Sequence, residues 1–315
     1  MNVDEVRQIA VVGAGLMGHG IATEFALAGY EVFLHDVTAE RVREALKRIE
    51  ATLQMLATAG LVSGDRIEGA LKNLHGETKL HAVASEADVV VEAAFENLSV
   101  KQQIFRELDG LCPPRTILAS NTSSLMPSQL AAATRRLDRV LVTHYFNPPY
   151  LLPAVEVVGS EKTSDETITT VCNLLKKVGK RPVVIQREVA GFIGVRLQAA
   201  LLREAVSIVQ KGVASPQDVD TVIKNSFGRR LAVAGVFEVS DLAGWDIVIS
   251  VNENLLPDLD RSTEVSPLLR QRIQRGELGA KTGKGFYDWT SESGETRKER
   301  ITQVLIRLAQ YSAGN

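Results

Sequence analysis

Cysteine is nearly absent from this chain: two residues, Cys112 and Cys172, in 315. They cannot make a disulfide framework and have no metal-ligand neighbours in sequence, so a metal site is not expected and a reducing, cytoplasmic setting is. Also missing is any apolar run long enough to span a bilayer. The first eight residues are polar and acidic, so they do not read as a secretory signal. Charge of one sign is lacking as well. The formal net charge of −2 gives no reason to expect nucleic acid or a membrane surface as a partner. There are no internal repeats and no low-complexity tracts. What is left is the ordinary composition of a globular enzyme, 45% hydrophobic and 23% charged, on a chain long enough for two domains.

The most informative stretch is residues 9–36. Residues 9–12, Ile-Ala-Val-Val, predict a short buried strand. Gly13, Gly15 and Gly18 follow at the GxGxxG spacing. Residues 17–27 predict a helix that Gly29 ends, and residues 31–35 predict a second strand closing on Asp36. The three glycines serve different physical ends. Gly13 makes a tight turn, Gly15 allows close approach of a pyrophosphate, and Gly18 allows the helix to pack on the strand. Leu16, Met17 and Gly18 open the helix, whose free N–H groups favour phosphate. Asp36 can accept the adenosine ribose hydroxyls and would repel a 2′-phosphate, so the expected cofactor is NAD rather than NADP. Arg41 and Arg43 lie farther along and read as a solvated helix face.

Short Val/Ile/Leu-rich strands alternate with amphipathic helices through the first half, the pattern of a parallel sheet. Strand candidates continue at 88–92, 116–119, 140–143, 153–158 and 183–185, with helices at 41–59 and 98–108. Beyond Gly191 the pattern is almost wholly helical. Ser215-Pro216 and Ser266-Pro267 each combine an N-cap with proline at the first helical position. The expected architecture is α/β: a Rossmann-type doubly wound parallel sheet over residues 1–188, then a mainly helical domain over 189–315.

Ligands of such sheets bind beyond the carboxyl ends of the strands, so polar residues there are candidates. Three groups qualify: Glu96 with Asn97, residues 120–124, and His144 with Asn147. His144 suits acid–base work near neutral pH, and a structural histidine is the competing reading. Glu156 favours the first, because a carboxylate in the apolar run Ala154-Val-Glu-Val-Val158 is costly unless paired. Ser123 reads either as a ligand for a substrate oxygen or as a turn residue. His75 and His81 read as surface positions in a polar connection.

These residues together resemble the 3-hydroxyacyl-CoA dehydrogenase family, along nearly the whole chain. The matching stretches are Gly13-Ala-Gly-Leu-Met-Gly-His-Gly-Ile-Ala22, Val91-Glu-Ala-Ala-Phe-Glu-Asn-Leu-Ser-Val-Lys101, Ser120-Asn-Thr-Ser-Ser124, His144-Tyr-Phe-Asn-Pro-Pro149 with Val155-Glu-Val157, Gly191-Phe-Ile193, Asp241-Leu-Ala-Gly-Trp-Asp246 and Lys281-Thr-Gly-Lys-Gly-Phe-Tyr287. The resemblance implies His144 as catalytic base, Glu156 as its partner and Ser123 on the substrate oxygen. It implies Glu96, Lys101, Ser123 and Asn147 near the nicotinamide ribose, Lys281 reaching the cofactor, and a homodimer formed through the helical domain. The implied reaction is NAD-dependent interconversion of a 3-hydroxyacyl-CoA and a 3-ketoacyl-CoA.

Two positions depart from the family pattern. Val195 stands where the family has a substrate-anchoring Asn. The helix ending near Ala59 lacks the lysines that contact the CoA nucleotide in acyl-CoA enzymes; Ala59 itself replaces one, and Thr52 stands for a Ser. Relatives acting on free hydroxy acids share the His-x-x-Asn-Pro pattern. The alternatives are therefore the same chemistry on a non-CoA 3-hydroxy acid or related carbonyl or imine compound, and a non-catalytic NAD-binding structural protein.

Overall fold

The computed structural model describes residues 1–313. By contact the chain separates into two units: Met1–Val195 together with the chain from Ile301, and Arg196–Arg300. The first unit contains an eight-stranded sheet in the order β3-β2-β1-β4-β5-β6-β7-β8. Its strands are β1 (Gln8–Val12), β2 (Glu31–His35), β3 (Leu74–Glu77), β4 (Val89–Glu92), β5 (Ile117–Ser120), β6 (Val140–Tyr145), β7 (Ala154–Gly159) and β8 (Arg181–Ile185). The helices between them are α1 (Leu16–Leu27), α2 (Ala39–Thr58), α3 (Gly64–Lys72), α4 (Leu80–Ala84), α5 (Leu98–Leu111), α6 (Pro127–Ala131) and α7 (Asp165–Lys177). The chain order steps outward from β1 on both sides, which is the doubly wound α/β arrangement.

Continuous apolar runs make the central strands because both faces are covered. Ile9, Ala10 and Val11 of β1 are fully buried, and β4 and β5 are buried throughout. Two apolar clusters lie on the two faces: Ile9, Val11, Ile21 and Phe25 belong to one, Ala10, Val90, Phe105 and Leu118 to the other. Alternation along β1 therefore splits its side chains between the two layers.

Two features differ from the sequence reading. Residues 74–77 form the edge strand β3, where the sequence pattern predicts a polar connection. Its polar side chains show no apolar period, yet it pairs in parallel with β2. His75 accordingly stacks on Phe33, with ring centroids 4.7 Å apart, rather than standing free; His81 is exposed on α4. Second, the sheet is not wholly parallel. β7 runs antiparallel to β6, because the turn at 146–153 is too short for the crossover that a parallel pair needs.

The second unit is helical: α8 (Gly194–Gln210, which begins in the first unit), α9 (Pro216–Asn225), α10 (Phe227–Arg230), α11 (Val236–Ala243), α12 (Trp245–Leu255) and α13 (Pro267–Gln274). The N-caps expected at Ser215 and Ser266 both form. The long last helix, α14 (Ser291–Ala313), leaves this unit at Arg300 and ends in the first.

Candidate active site

The glycine turn leads from β1 into α1 as its spacing predicts. Gly13 has φ +106°, and a Cβ there would lie 2.6 Å from the Ala93 carbonyl oxygen. At Gly18 a Cβ would collide with the Gly13 oxygen at 1.7 Å. These two glycines are demanded by packing. Gly15 is different: a Cβ there would meet nothing within 4 Å, so the space in front of it is open to a ligand. Gly15 is also the N-cap of α1 and offers no side chain to the first turn, formed by Leu16, Met17 and Gly18. A free helix N-terminus facing open space is suited to a pyrophosphate.

This turn lines one wall of a cleft of about 720 Å³, and His35, Asp36, Arg41, Phe95 and Glu107 line others. The Asp36 carboxylate accepts from the backbone N–H of Ala14 (3.0 Å) and of Val37 (2.8 Å), which holds it beside the glycine turn. Arg41 is exposed, as the sequence reading has it, and its Nη1 sits 3.3 Å from Asp36 Oδ1, where it lines the cleft. Its spacing of five residues from Asp36, across the start of α2, is what lets it fold back. The donor set and the open position at Gly15 fit a dinucleotide.

At the end of β4, Glu92 is completely buried and binds Lys101 Nζ at 2.7 and 2.9 Å. Glu92 also accepts from Ser120 Oγ at 2.5 Å. Lys101 is 1% exposed, donates to the Ala94 carbonyl at 3.3 Å and lies 3.6 Å from Glu96. Sequence reasoning passed over Glu92, although it poses the same problem as Glu156: a carboxylate on an apolar strand. Glu96 in turn organises the turn after β5. One of its oxygens accepts from Thr122 Oγ1 (2.5 Å), Ser124 Oγ (3.0 Å) and the N–H and hydroxyl of Ser123 (3.1 and 3.3 Å). Burial alone would raise the Glu96 pKa, but these donors and Lys101 outweigh it and hold the carboxyl below its usual range. Ser123 is thus anchored and half-buried. The same turn is tied to β6 by Asn121, whose side chain accepts from the Tyr145 N–H at 2.9 Å.

His144 and Glu156 face each other across the β6–β7 register. His144 Nδ1 lies 2.7 Å from Glu156 Oε2, and both side chains are more than nine-tenths buried. The other carboxylate oxygen accepts the N–H groups of Ile193 (2.8 Å) and Gly194 (2.9 Å), at the start of α8. Phe192, in the left-handed region at φ +48°, precedes these two amides. Burial pushes the Glu156 pKa up, but the bonds from His144, Gly194 and Ile193 prevail and leave it below the ordinary carboxylate value. An ionised carboxylate only accepts, so the proton between the pair sits on Nδ1, and in the neutral imidazole Nε2 is then the nitrogen with the free lone pair. The rings of Phe146 and Phe192 flank the imidazole, with centroids 4.8 and 5.8 Å away.

Asn147 is exposed on the turn after β6. Val195, half-buried, directly follows the two amides that hold Glu156. Lys281 is exposed on a short helical turn, Ala280–Thr282, in the second unit. Thr52 is buried. The Ala59 carbonyl accepts from Gln310 Nε2 at 2.7 Å.

Comparison with known proteins places these features. The sequence profile of the 3-hydroxyacyl-CoA dehydrogenase NAD binding domain matches residues 8–189, and that of the family's C-terminal domain matches residues 191–289. A 5-formyl-3-hydroxy-2-methylpyridine 4-carboxylate 5-dehydrogenase from Mesorhizobium japonicum is 33% identical over 312 residues, 98% of this chain and 99% of its own. A probable 3-hydroxybutyryl-CoA dehydrogenase from Bacillus subtilis is 37% identical over 290 residues, 92% of this chain and 99% of its own. Among solved structures, an NAD+-dependent dismutase with that pyridine-carboxylate dehydrogenase activity superposes with a TM-score of 0.92 at 32% identity, over 98% of this chain and 99% of its own.

Proposed function

Because the chain belongs to the 3-hydroxyacyl-CoA dehydrogenase family of NAD-dependent oxidoreductases, we propose that it interconverts a hydroxyl and a carbonyl with His144 as general base and Glu156 as the group that orients it. The observation that carries this reading is the 2.7 Å contact between His144 Nδ1 and Glu156, which leaves Nε2 as the proton-accepting end. NAD, when bound, supplies the hydride acceptor. The glycine turn and the amides of Leu16, Met17 and Gly18 would hold its pyrophosphate, and Asp36 its adenosine ribose.

In the oxidative direction Nε2 takes the hydroxyl proton as the C–H bond breaks; in reduction it returns that proton to the carbonyl oxygen. Glu156 stabilises the imidazolium so formed, while Ile193 and Gly194 keep the carboxylate in place. Ser123, fixed by Glu96, would donate to the reacting oxygen. Asn147 and Lys101 would shape the nicotinamide-ribose end, Lys101 by fixing Glu92 and Glu96. Lys281 would approach the cofactor from the helical unit, and Val195 would border the substrate. The functional division at about residue 188, a homodimer through the helical unit and a cytoplasmic setting belong to the same reading.

For the substrate, the name of the Bacillus subtilis relative points to a 3-hydroxyacyl-CoA. The burial of Thr52 and the internal bond of the Ala59 carbonyl favour the second reading, a small hydroxy compound without CoA. The test of the chemistry is His144→Gln. NADH should bind as in the wild type, while kcat for reduction of a β-keto compound should fall by roughly 10²–10⁴. A full-rate variant would place the base elsewhere.

A further inference from the structure

The profile of the family's C-terminal domain ends at residue 289, and α14 begins at Ser291. A helix of 23 residues therefore lies beyond the family pattern. Two of the relatives differ in length at this place. A match of 290 residues accounts for 99% of the Bacillus subtilis butyryl-CoA enzyme, whereas the Mesorhizobium pyridine-carboxylate enzyme, whose name carries no CoA, matches over 312.

The distal half of α14, from Ile301, belongs to the same compact unit as the sheet. Ile306 is 7% exposed and clusters with Leu56 at the end of α2 and with Leu151 of the turn at 146–152. Leu305, Met55, Ala59 and Tyr150 pack around these three. Gln310 ties the helix to the Ala59 carbonyl. That turn leaves β6 one residue beyond His144 and carries Asn147. The surface so covered is uncharged: residues 51–63 hold no Asp, Glu, Lys or Arg. A ligand bearing several phosphates is held most strongly by cations, and this run supplies none.

We propose that the distal half of α14 determines the substrate class: seated on the end of α2 and on Tyr150–Leu151, it closes the uncharged surface beside the His144 turn and selects a compact hydroxy substrate against a CoA thioester. The proposal rests on the reading of His144 as the base. Ile306 supplies the apolar anchor and Gln310 the polar one. Both act by occupying space and by fixing the turn, not by touching the reacting atoms.

The test uses the full-length protein with NADH and three probes: CoA, acetoacetyl-CoA and ethyl acetoacetate, a β-keto ester without a nucleotide. Calorimetric titration of CoA into the wild-type enzyme saturated with NADH should show no binding below the millimolar range; micromolar binding overturns the proposal. In the double variant Ile306→Asp/Gln310→Ala, and in a chain stopped after Arg300, the ratio of kcat/KM for acetoacetyl-CoA to that for ethyl acetoacetate should rise about tenfold or more. An unchanged ratio in variants that bind NADH normally overturns it. Should both variants fail to fold, the CoA titration of the wild type decides. If the wild type binds NADH and reduces neither ketone, and His144→Gln behaves identically, the reading of His144 fails, and the role of α14 is then judged on the titration alone.

Discussion

The two units bury apolar side chains to very different degrees. In the first, the side chains of β1, β4 and β5 are almost without contact to solvent, and two clusters fill both faces of the sheet. In the second, α9 to α13 contain no buried residue, and Leu242, Phe237 and Val233 are 86%, 74% and 70% exposed. A parallel sheet needs covering on both faces and receives it from its own crossover helices within the same chain. Amphipathic helices with no sheet between them expose one apolar face each unless a further surface covers it. The first unit covers its own apolar faces; the second leaves apolar side chains exposed, which the homodimer proposed above would cover.

The largest expected effect lies inside the first unit. Lys101→Met leaves Glu92 buried without its cation and should cost about 3–5 kcal/mol of unfolding free energy in urea titration. A loss within about 0.5 kcal/mol would mean that Lys101 serves the cofactor and not the fold. Next comes a direct comparison of the units. Leu34→Ala removes a fully buried side chain and should cost about 2–5 kcal/mol at any protein concentration. Leu242→Ala should cost at most about 0.5 kcal/mol in dilute monomer and more at concentrations where sedimentation shows a dimer. A core-sized cost for Leu242→Ala in the monomer would break the comparison.

Within the cleft, Asp36→Ala should lower kcat/KM with NADH by about 1–3 kcal/mol, the cost of leaving hydrogen-bonding partners unpaired. It also frees Arg41, so NADPH should be used relatively better. Equal use of both cofactors by the wild type would sink the assignment to Asp36. The smallest effect is confined to acid. The folded-state pKa of Glu156 is depressed, so its stabilising contribution is complete above the unfolded value of about 4.5 and is lost as pH falls through the lower folded value. The difference in unfolding free energy between wild type and Glu156→Gln should therefore shrink below that pH. A difference constant from neutral pH down to about 3, measured by denaturant unfolding, would detach the titration of Glu156 from folding.

Much of the nucleotide-binding half was legible because its signals are local. Gly13, Gly15, Gly18 and Asp36 sit within one βαβ unit, where spacing in sequence and position in space are coupled by the strand and helix repeats. Glu156 was legible through cost, since a carboxylate in an apolar strand implies a partner. The same reasoning applied to Glu92 would have found Lys101. The edge strand β3 was missed because pairing on one side only leaves no apolar period, and the contact of Arg41 with Asp36 because helical periodicity shows that a side chain is exposed and not which neighbour it reaches.

By itself the sequence determined the glycine turn, the alternation of strands and helices, the helical character beyond Gly191 and the residue types of the buried pair His144 and Glu156. These depend on short-range sterics, helix and strand repeats, and the free energy of burying a charge. Only the tertiary structure decided which atoms meet. The antiparallel register of β7 on β6 sets His144 opposite Glu156, the left-handed Phe192 accompanies two amides aimed at the carboxylate, and the last helix returns to cover the end of α2. Each of these joins residues distant along the chain. Such contacts are settled by packing of the whole unit, to which no local pattern in the sequence corresponds.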